Sequence, residues 1–560
     1  MLHSLKIPMP LASSYLALVV LLGGCSDAQH TSSATQDTEL NATKHLKPEG
    51  EVQAHTPTKT PANIIVILAD DMRTHYTGHE GHAHVLTPHL DNLAKRGTVF
   101  TSNFATSPVC MPSRTSLLTG QYERKHGVNF NSNSALSQQA FNKTYPMLLK
   151  QAGYYAGYIG KNHTPIGAND EGLVGYASGV MDTSFDYWYA SHGHLGFYPK
   201  DVPKHAIFKN AESDTQVEII EEGMENFFTP NKMFEAGAGF LAQRPENKPF
   251  ALLINFNVPH NGGTGSMEFR DADLALYKTR YRDQLDSLPL PPTYVAEADI
   301  QQPKLPKHVY NGEYIESYNY VKTAATLRER NVREIQTISG VDKFVGKLIQ
   351  QLNAHGLAEN TVIVFTSDHG ILHGEFGMGG KSLLYEPSVK IPLIIYDPRI
   401  QDPVKHSDEL VTLVDIAPTL LEIGGVPIPK DMQGTSLNPL LTGEHSSWRQ
   451  DVFLENMMTI QNYPRIEAVR TKEWKYIRYF DRKNDQAYAD MLSASIKGEQ
   501  PIYEELFNIG EDPHETTNLI LAPEHKLRAT QMRTRTGELV TKYRGTQPLS
   551  TIPLTKREAF

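Results

Sequence analysis

Apolar positions along the chain gather into short unbroken runs that end in polar residues. Ile64 to Leu68 is continuous between Pro61 and Asp70, the pattern of a strand buried on both faces of a sheet, and its carboxyl end delivers Asp70 and Asp71. Thr361 to Thr366 repeats the pattern and delivers Ser367, Asp368, His369 and Gly370. A helical stretch from about Val332 to Ala354, closed by Gly356, precedes that second strand. Between the two, Tyr155 to Ile159 leads into Gly160 and Lys161, and Phe250 to Phe256 leads into Pro259 and His260. Buried strands alternating with helices predict an α/β sheet, in which ligands collect beyond the carboxyl ends of the strands. Four such ends carrying polar groups predict one convergent site.

The segment from Asn261 to about Tyr320 lacks a clear period and reads as long loops near the cleft. After about Gly443 the pattern changes. Asp451 to Glu455, Ile466 to Lys472, Trp474 to Phe480 and Glu505 to Phe507 predict short antiparallel strands joined by one helix. A body over 61–443 followed by a smaller α+β domain over 444–560 is therefore expected. At the other end, a weakly basic start (His3, Lys6), an apolar run from Leu11 to Leu22 and Gly23-Gly24-Cys25 read as an export signal over 1–24. The run is roughly a dozen residues, short of the ~20 that span a bilayer. Residues 25–60, rich in Ser, Thr, Ala and charged groups, read as a flexible stalk.

Charge and cysteine count sharpen this picture. A formal net charge of -10 argues against a nucleic-acid binder that works by neutralising phosphates, so an anionic substrate needs cations concentrated in the site. The chain has two cysteines. Leu22-Gly23-Gly24-Cys25 resembles the bacterial lipobox, which implies cleavage before Cys25, diacylation of its thiol and a lipid anchor at the outer membrane or periplasm of a Gram-negative cell. Cys110 is then a lone thiol in an oxidising compartment, which invites a chemical explanation.

Cys110-Met111-Pro112-Ser113-Arg114, followed by Leu117, Thr119 and Gly120, supplies one. The pattern C-x-P-S-R-x-x-L-x-T-G resembles the signature of type I sulfatases, and the resemblance runs from about Asn63 to Leu519. It implies an alkaline-phosphatase-like fold, a large mixed sheet sandwiched by helices with a smaller C-terminal antiparallel sheet. It further implies that a dedicated maturation enzyme oxidises Cys110 to formylglycine, whose hydrate attacks sulfur through one hydroxyl and releases the covalent sulfate through the other. Gln121 stands where Arg or Lys is frequent in the family.

The other strand ends then acquire roles. Asp70, Asp71, Asp368 and His369 form a carboxylate-rich set suited to a hard cation; the resemblance implies Ca²⁺ ahead of Mg²⁺, with residue 110 completing the shell. His369 replaces the commoner Asn, leaving open whether its nitrogen binds the ion or lies beside it. Gly160-Lys161-Asn162-His163 resembles the family's G-K-x-H element, with Asn162 in place of Trp. By that resemblance Lys161 and Lys381 bind sulfate oxygens, His163 hydrogen-bonds the formylglycine hydroxyl, His260 donates to the leaving oxygen and Arg114 orients the nucleophile. Arg73, close to the metal set, is a candidate substrate contact.

Other features stay open. His75, His79, His82 and His84 form a second metal site, a substrate-facing subsite or a solvated loop. Phe185 to Tyr189 stacks on sugars or packs in the core, and His126 supports the site or the fold. The leading expectation is a sulfatase acting on a sulfated polysaccharide or oligosaccharide. A phosphonate or phosphate ester hydrolase of the same fold and a non-catalytic glycan-binding lipoprotein are the alternatives.

Overall fold

The apolar run after Pro61 resolves into two alternating faces. The computed structural model describes residues 61–130, 134–170, 172, 174–192, 198–199, 232–260, 279–310, 320–459, 463–481, 499–544 and 551–553. The export signal, Cys25 and the stalk lie outside the described residues. Strand β1 (Asn63–Asp70) is wholly buried. Ile64, Val66 and Leu68 face one apolar core, and Ile65, Ile67 and Ala69 face the other. A strand in the middle of a two-faced sheet has no solvent side, which is why its sequence shows a run rather than an alternation.

The nine-stranded sheet has the order β9-β2-β8-β7-β1-β6-β3-β4-β5. In chain order the remaining strands are β2 (Thr98–Phe100), β3 (Tyr155–Asn162), β4 (Tyr187–His192), β5 (Tyr198–Pro199), β6 (Phe250–Pro259), β7 (Thr361–Ser367), β8 (Leu393–Tyr396) and β9 (His406–Ser407). β1 runs parallel to β6 and β7, and β3 runs parallel to β6 and β4. β8 is antiparallel to its neighbours β7 and β2, so the sheet is mixed. The register pairs Ala69 with Ser367 and Asp70 with Pro259. Parallel pairing therefore brings Asp70, Asp368 and His260 to the same edge.

Helices cover both faces. The first core takes Leu117 and Leu118 of α2 (Cys110–Thr119). The second takes Leu90 and Leu93 of α1 (Pro88–Arg96), with Val332, Ile335, Phe344 and Leu348 of α3 (Ala324–Ala354). Within 279–310 the described backbone is turns and short 3-10 helices, as the missing period suggested.

A second sheet follows Gly443: β10 (Asp451–Asn456), β11 (Arg465–Thr471), β12 (Trp474–Phe480) and β13 (Tyr503–Asn508), an antiparallel meander. Helix α4 (Lys526–Arg544) packs Met532, Leu539 and Val540 against Phe453, Val469 and Tyr476. The meander is continuous with the body through a core joining Phe104 and Tyr385 to Val452, Tyr479 and Phe507. Buried Arg124 of the body adds ion pairs to Glu455 and Glu467. Among the described residues no helix is long and apolar enough to cross a membrane.

Candidate active site

Cys110 is the first residue of α2, with 2 % of its surface exposed. The helix explains its own sequence. Pro112 lies in the first turn, where a missing N–H costs nothing. The Ser113 hydroxyl donates to the Asp368 carbonyl, and Arg114 reaches the same loop. Gly120 ends the helix with φ 64, the left-handed conformation that glycine tolerates best. The motif is thus a helix start bolted onto the carboxyl end of β7.

Around the thiol the strand ends converge. Lys381 Nζ lies 3.1 Å from Cys110 Sγ, His369 Nε2 3.3 Å, and Asp71 Oδ1 3.9 Å. Lys381 also donates to Asp71 at 2.9 Å. Lys161 Nζ donates to Asp70 Oδ2 at 2.6 Å, with neither side chain exposed. Arg114 spans the carboxylates, its Nε donating to Asp368 Oδ2 at 2.9 Å and one terminal nitrogen lying 3.3 Å from Asp70 Oδ1. His260 Nε2 is 3.7 Å from Asp71 Oδ2. Asp71 has φ 64, a left-handed conformation uncommon outside glycine, asparagine and aspartate. Its N–H donates to Asp368 Oδ1 at 3.1 Å, fixing the bend after Asp70.

Ligand-type atoms of Asp70, Cys110, Asp368 and His369 lie within 4.8 Å of one another, as do those of Asp71, Cys110 and His260. The three buried carboxylates of Asp70, Asp71 and Asp368 fit a hard divalent cation. Burial and the neighbouring Asp70 charge push the Asp368 carboxyl up, against the pull of His369 and Arg114. A cation placed among crowded carboxylates relieves that repulsion. His369 Nδ1 lies 2.8 Å from the Gly370 carbonyl, which only accepts, so Nδ1 carries the hydrogen and Nε2 faces the cluster. Burial alone would lower the His369 pKa; Asp368 and Asp71 overcome it and hold it at about 9. An ion held by those carboxylates would supply the positive charge instead, and the His369 Nε2 lone pair would then be available to it.

The other anticipated residues sit as follows. His163 is buried, its ring edge-on to Phe130 at 5.2 Å. Arg73 pairs with Glu375 at 2.7 Å and lines a cavity of about 650 Å³. Phe185 and Trp188 are core residues, with Trp188 stacked on Tyr158, and Tyr187 and Tyr189 are half-buried against the second core. His126 is buried, 3.1 Å from Ser116 Oγ, and burial lowers it to about 3. In the histidine loop, His82 Nδ1 accepts from the N–H groups of His84 and Val85. Burial and its histidine neighbours lower His82 to about 4. That ring organises the loop as a neutral acceptor, and the loop forms no metal-ligand group among the described residues.

Sequence reasoning missed a buried network beneath His260. Arg330 of α3 donates to the Pro259 carbonyl at 3.2 Å and pairs with Glu334 at 2.5 Å, and Glu334 meets His373 Nε2 at 3.2 Å. The signal was an i,i+4 Arg–Glu pair among the apolar positions Leu327, Val332 and Ile335, where a solvent-facing pair does not belong.

The sulfatase family profile matches residues 62–426, and a profile described as the C-terminal part of N-sulphoglucosamine sulphohydrolase matches 374–542. The chain is 25% identical to an arylsulfatase of Clostridium perfringens over 84% of its own length and 92% of that protein. It is also 25% identical to an N-acetylglucosamine-6-O-sulfatase of Bacteroides thetaiotaomicron, covering 88% of each. Among solved structures, one bound to its substrate D-glucosamine-2-N,6-O-disulfate superposes with TM-score 0.62 at 22% identity, covering 87% of this chain and 99% of that one. A phosphonate monoester hydrolase of Agrobacterium radiobacter reaches 0.60 at 19% identity, over 86% and 96%. At such identities the likeness establishes the alkaline-phosphatase-like fold, which serves more than one ester chemistry. The family match over most of the body distinguishes them: the chain belongs to the sulfatase family and is a sulfuric ester hydrolase.

Proposed function

We propose that the protein removes sulfate from a sulfated polysaccharide or oligosaccharide outside the cytoplasm, tethered by a lipid on Cys25, with Cys110 matured to formylglycine. The observation that carries the nucleophile assignment is the placement of Cys110 at a helix start, 3.1 Å from Lys381 and 3.3 Å from His369. The substrate class rests on relatives named for glucosamine sulfates and on an ulvan-active sulfatase of Formosa agariphila.

Hydrated formylglycine at position 110 supplies a nucleophilic hydroxyl and a second hydroxyl for release of sulfate. Asp70, Asp71, Asp368 and His369 would hold a divalent cation, a hard one by the three carboxylates and Ca²⁺ by the resemblance to the family. Lys161 and Lys381 oppose charge on the sulfate oxygens, and Arg114 fixes the helix start against Asp70 and Asp368. His260 donates a proton to the leaving oxygen, and His163 assists deprotonation at position 110. Arg73, at the wall of the 650 Å³ cavity with His75 and His82, meets the sugar.

Peptide mass spectrometry of active protein tests this directly. Exchanging sulfur and two hydrogens for oxygen lowers the mass of the Cys110 peptide by about 18 Da, and Cys110→Ala is expected to lose sulfate release by several orders of magnitude. An active preparation carrying an intact thiol there, or a Cys110→Ala variant with wild-type turnover, overturns the assignment.

A further inference from the structure

A groove of about 960 Å³ lies where the end of α2 meets the loop 429–433 and helix α4. Among the described residues four lysines line it, Lys125, Lys143, Lys430 and Lys542, against one carboxylate, Asp431. This local excess of positive charge stands on a chain of net charge -10, so general basicity does not explain it. Thr119 and Gln121 reach the groove from the end of α2 opposite Cys110, which at 1.5 Å per residue is about 14 Å along the helix from the nucleophile position. It is therefore separate from the candidate active site.

The walls are fixed rather than incidental. Gln121 Nε2 donates to the Asp431 carbonyl at 3.1 Å, and Gln433 bridges the Tyr122 N–H and the Tyr543 carbonyl at 2.9 and 2.6 Å. Lys143 pairs at 3.3 Å with Asp431, the one acid among the described lining residues. Lys125 has 7 % of its surface exposed. Burial and the neighbouring Arg544 and Lys143 lower its pKa, against the pull of Asp431, so this ammonium sits mostly among like charges. Ser137 and Gln139 offer hydroxyl and amide groups alongside. A concave site with cations and hydrogen-bonding groups suits a flexible sulfated sugar chain.

We infer that this groove is a second, non-catalytic binding site for a polysulfated glycan strand, which holds the polymer to the enzyme while the distant active site works on another part of it. The inference rests on the sulfated-carbohydrate reading of the function. Two weak contacts on one polymer raise apparent affinity through effective concentration without altering the chemistry.

The test uses the full chain and its triple variant Lys143→Glu/Lys430→Glu/Lys542→Glu, with dextran sulfate as probe and neutral dextran as control. The variant is expected to bind dextran sulfate on the order of tenfold more weakly or worse, with a shallower salt dependence. Its kcat/KM on a small aryl sulfate stays unchanged, and neither protein binds dextran. Unchanged binding of dextran sulfate by the variant overturns the inference. So does loss of binding to phosphatidylglycerol vesicles with dextran sulfate binding preserved, which would make the groove a membrane contact. Failure of the wild type to release sulfate from any ester sinks the functional reading instead, and the binding comparison still decides the groove.

Discussion

Lys161 shows how closely charge is balanced at single residues of the site. It and Asp70 form a 2.6 Å pair with neither side chain exposed, and removing one partner of a buried pair costs about 3–5 kcal/mol because the other charge is stranded. Under the proposed metal site Asp70 also faces the cation, which offers it a second counter-charge. Lys161→Met is therefore expected to lower the thermal midpoint strongly in chelated protein and much less with millimolar Ca²⁺. Equal losses in both conditions, measured by calorimetry, would remove Asp70 from the metal set. The residue types at the strand ends were legible because acids and histidines directly after apolar runs are chemically conspicuous. Lys161 and Lys381 became legible only through the family pattern, since an isolated lysine reads as solvated surface. Arg330, Glu334 and His373 were not legible: what makes them unusual is burial, which only the packed structure supplies.

Among the elements, α1 borrows its cap from another helix. Thr87 precedes it, but no side-chain cap bond forms there, and the Thr87 hydroxyl donates to Asp91 instead. Asp342 of α3 accepts from the N–H groups of His89 and Leu90 at 2.9 and 2.8 Å, doing the work of an N-cap across the helix interface. Burial pushes its carboxyl up from 3.8 to about 7, although the two N–H bonds oppose this. Between these values the folded state holds a proton that the unfolded chain has lost, so this group makes stability fall as pH rises through the window. Asp342→Asn keeps an acceptor and cannot ionise. Its midpoint is expected near wild type at about pH 4 and above wild type at about pH 8, with a gap worth on the order of a few kcal/mol. A gap that stays flat or reverses with pH would show that the carboxylate is stabilised by the helix end more than burial opposes it.

Buried polar residues explain why element boundaries were only partly readable. The strands of the small sheet appear within about two residues of their sequence limits, because each alternates or runs apolar to its end. α3 begins at Ala324 with a Thr323–Thr326 capping box, eight residues before the apolar pattern starts. Arg328, Glu329 and Arg330 interrupt the periodicity there, yet Arg330 is buried. β3 runs on through Lys161 and Asn162 for the same reason, since polar residues inside the protein carry no apolar signal. β2, β8 and β9 span four residues or fewer, too short for any period to show.

At the scale of the whole molecule the question is how a protein of net charge -10 attracts an anionic ester. Within the cluster, Asp70, Asp71 and Asp368 are paired with Arg114, Lys161 and Lys381, and His369, held at about 9, adds a further positive charge, so the side chains carry enough cationic charge to pack without a metal. Under the proposed metal site a divalent ion would add charge beyond what the fold needs, and that surplus would face the sulfate. Focusing of positive potential inside a cleft draws anions against an unfavourable overall charge. Chelation is accordingly expected to leave the fold intact, with the far-ultraviolet circular dichroism unchanged. Turnover and the affinity for inorganic sulfate as a competitive inhibitor should both fall by at least about tenfold, a loss of roughly 1.4 kcal/mol in sulfate binding. Both should return on adding Ca²⁺, and less fully with Mg²⁺, which demands near-ideal octahedral geometry and gives up its waters reluctantly. Global unfolding on chelation would instead make the ion a structural staple, and unchanged sulfate affinity in the chelated protein would place the anion-attracting charge on Lys161 and Lys381 alone.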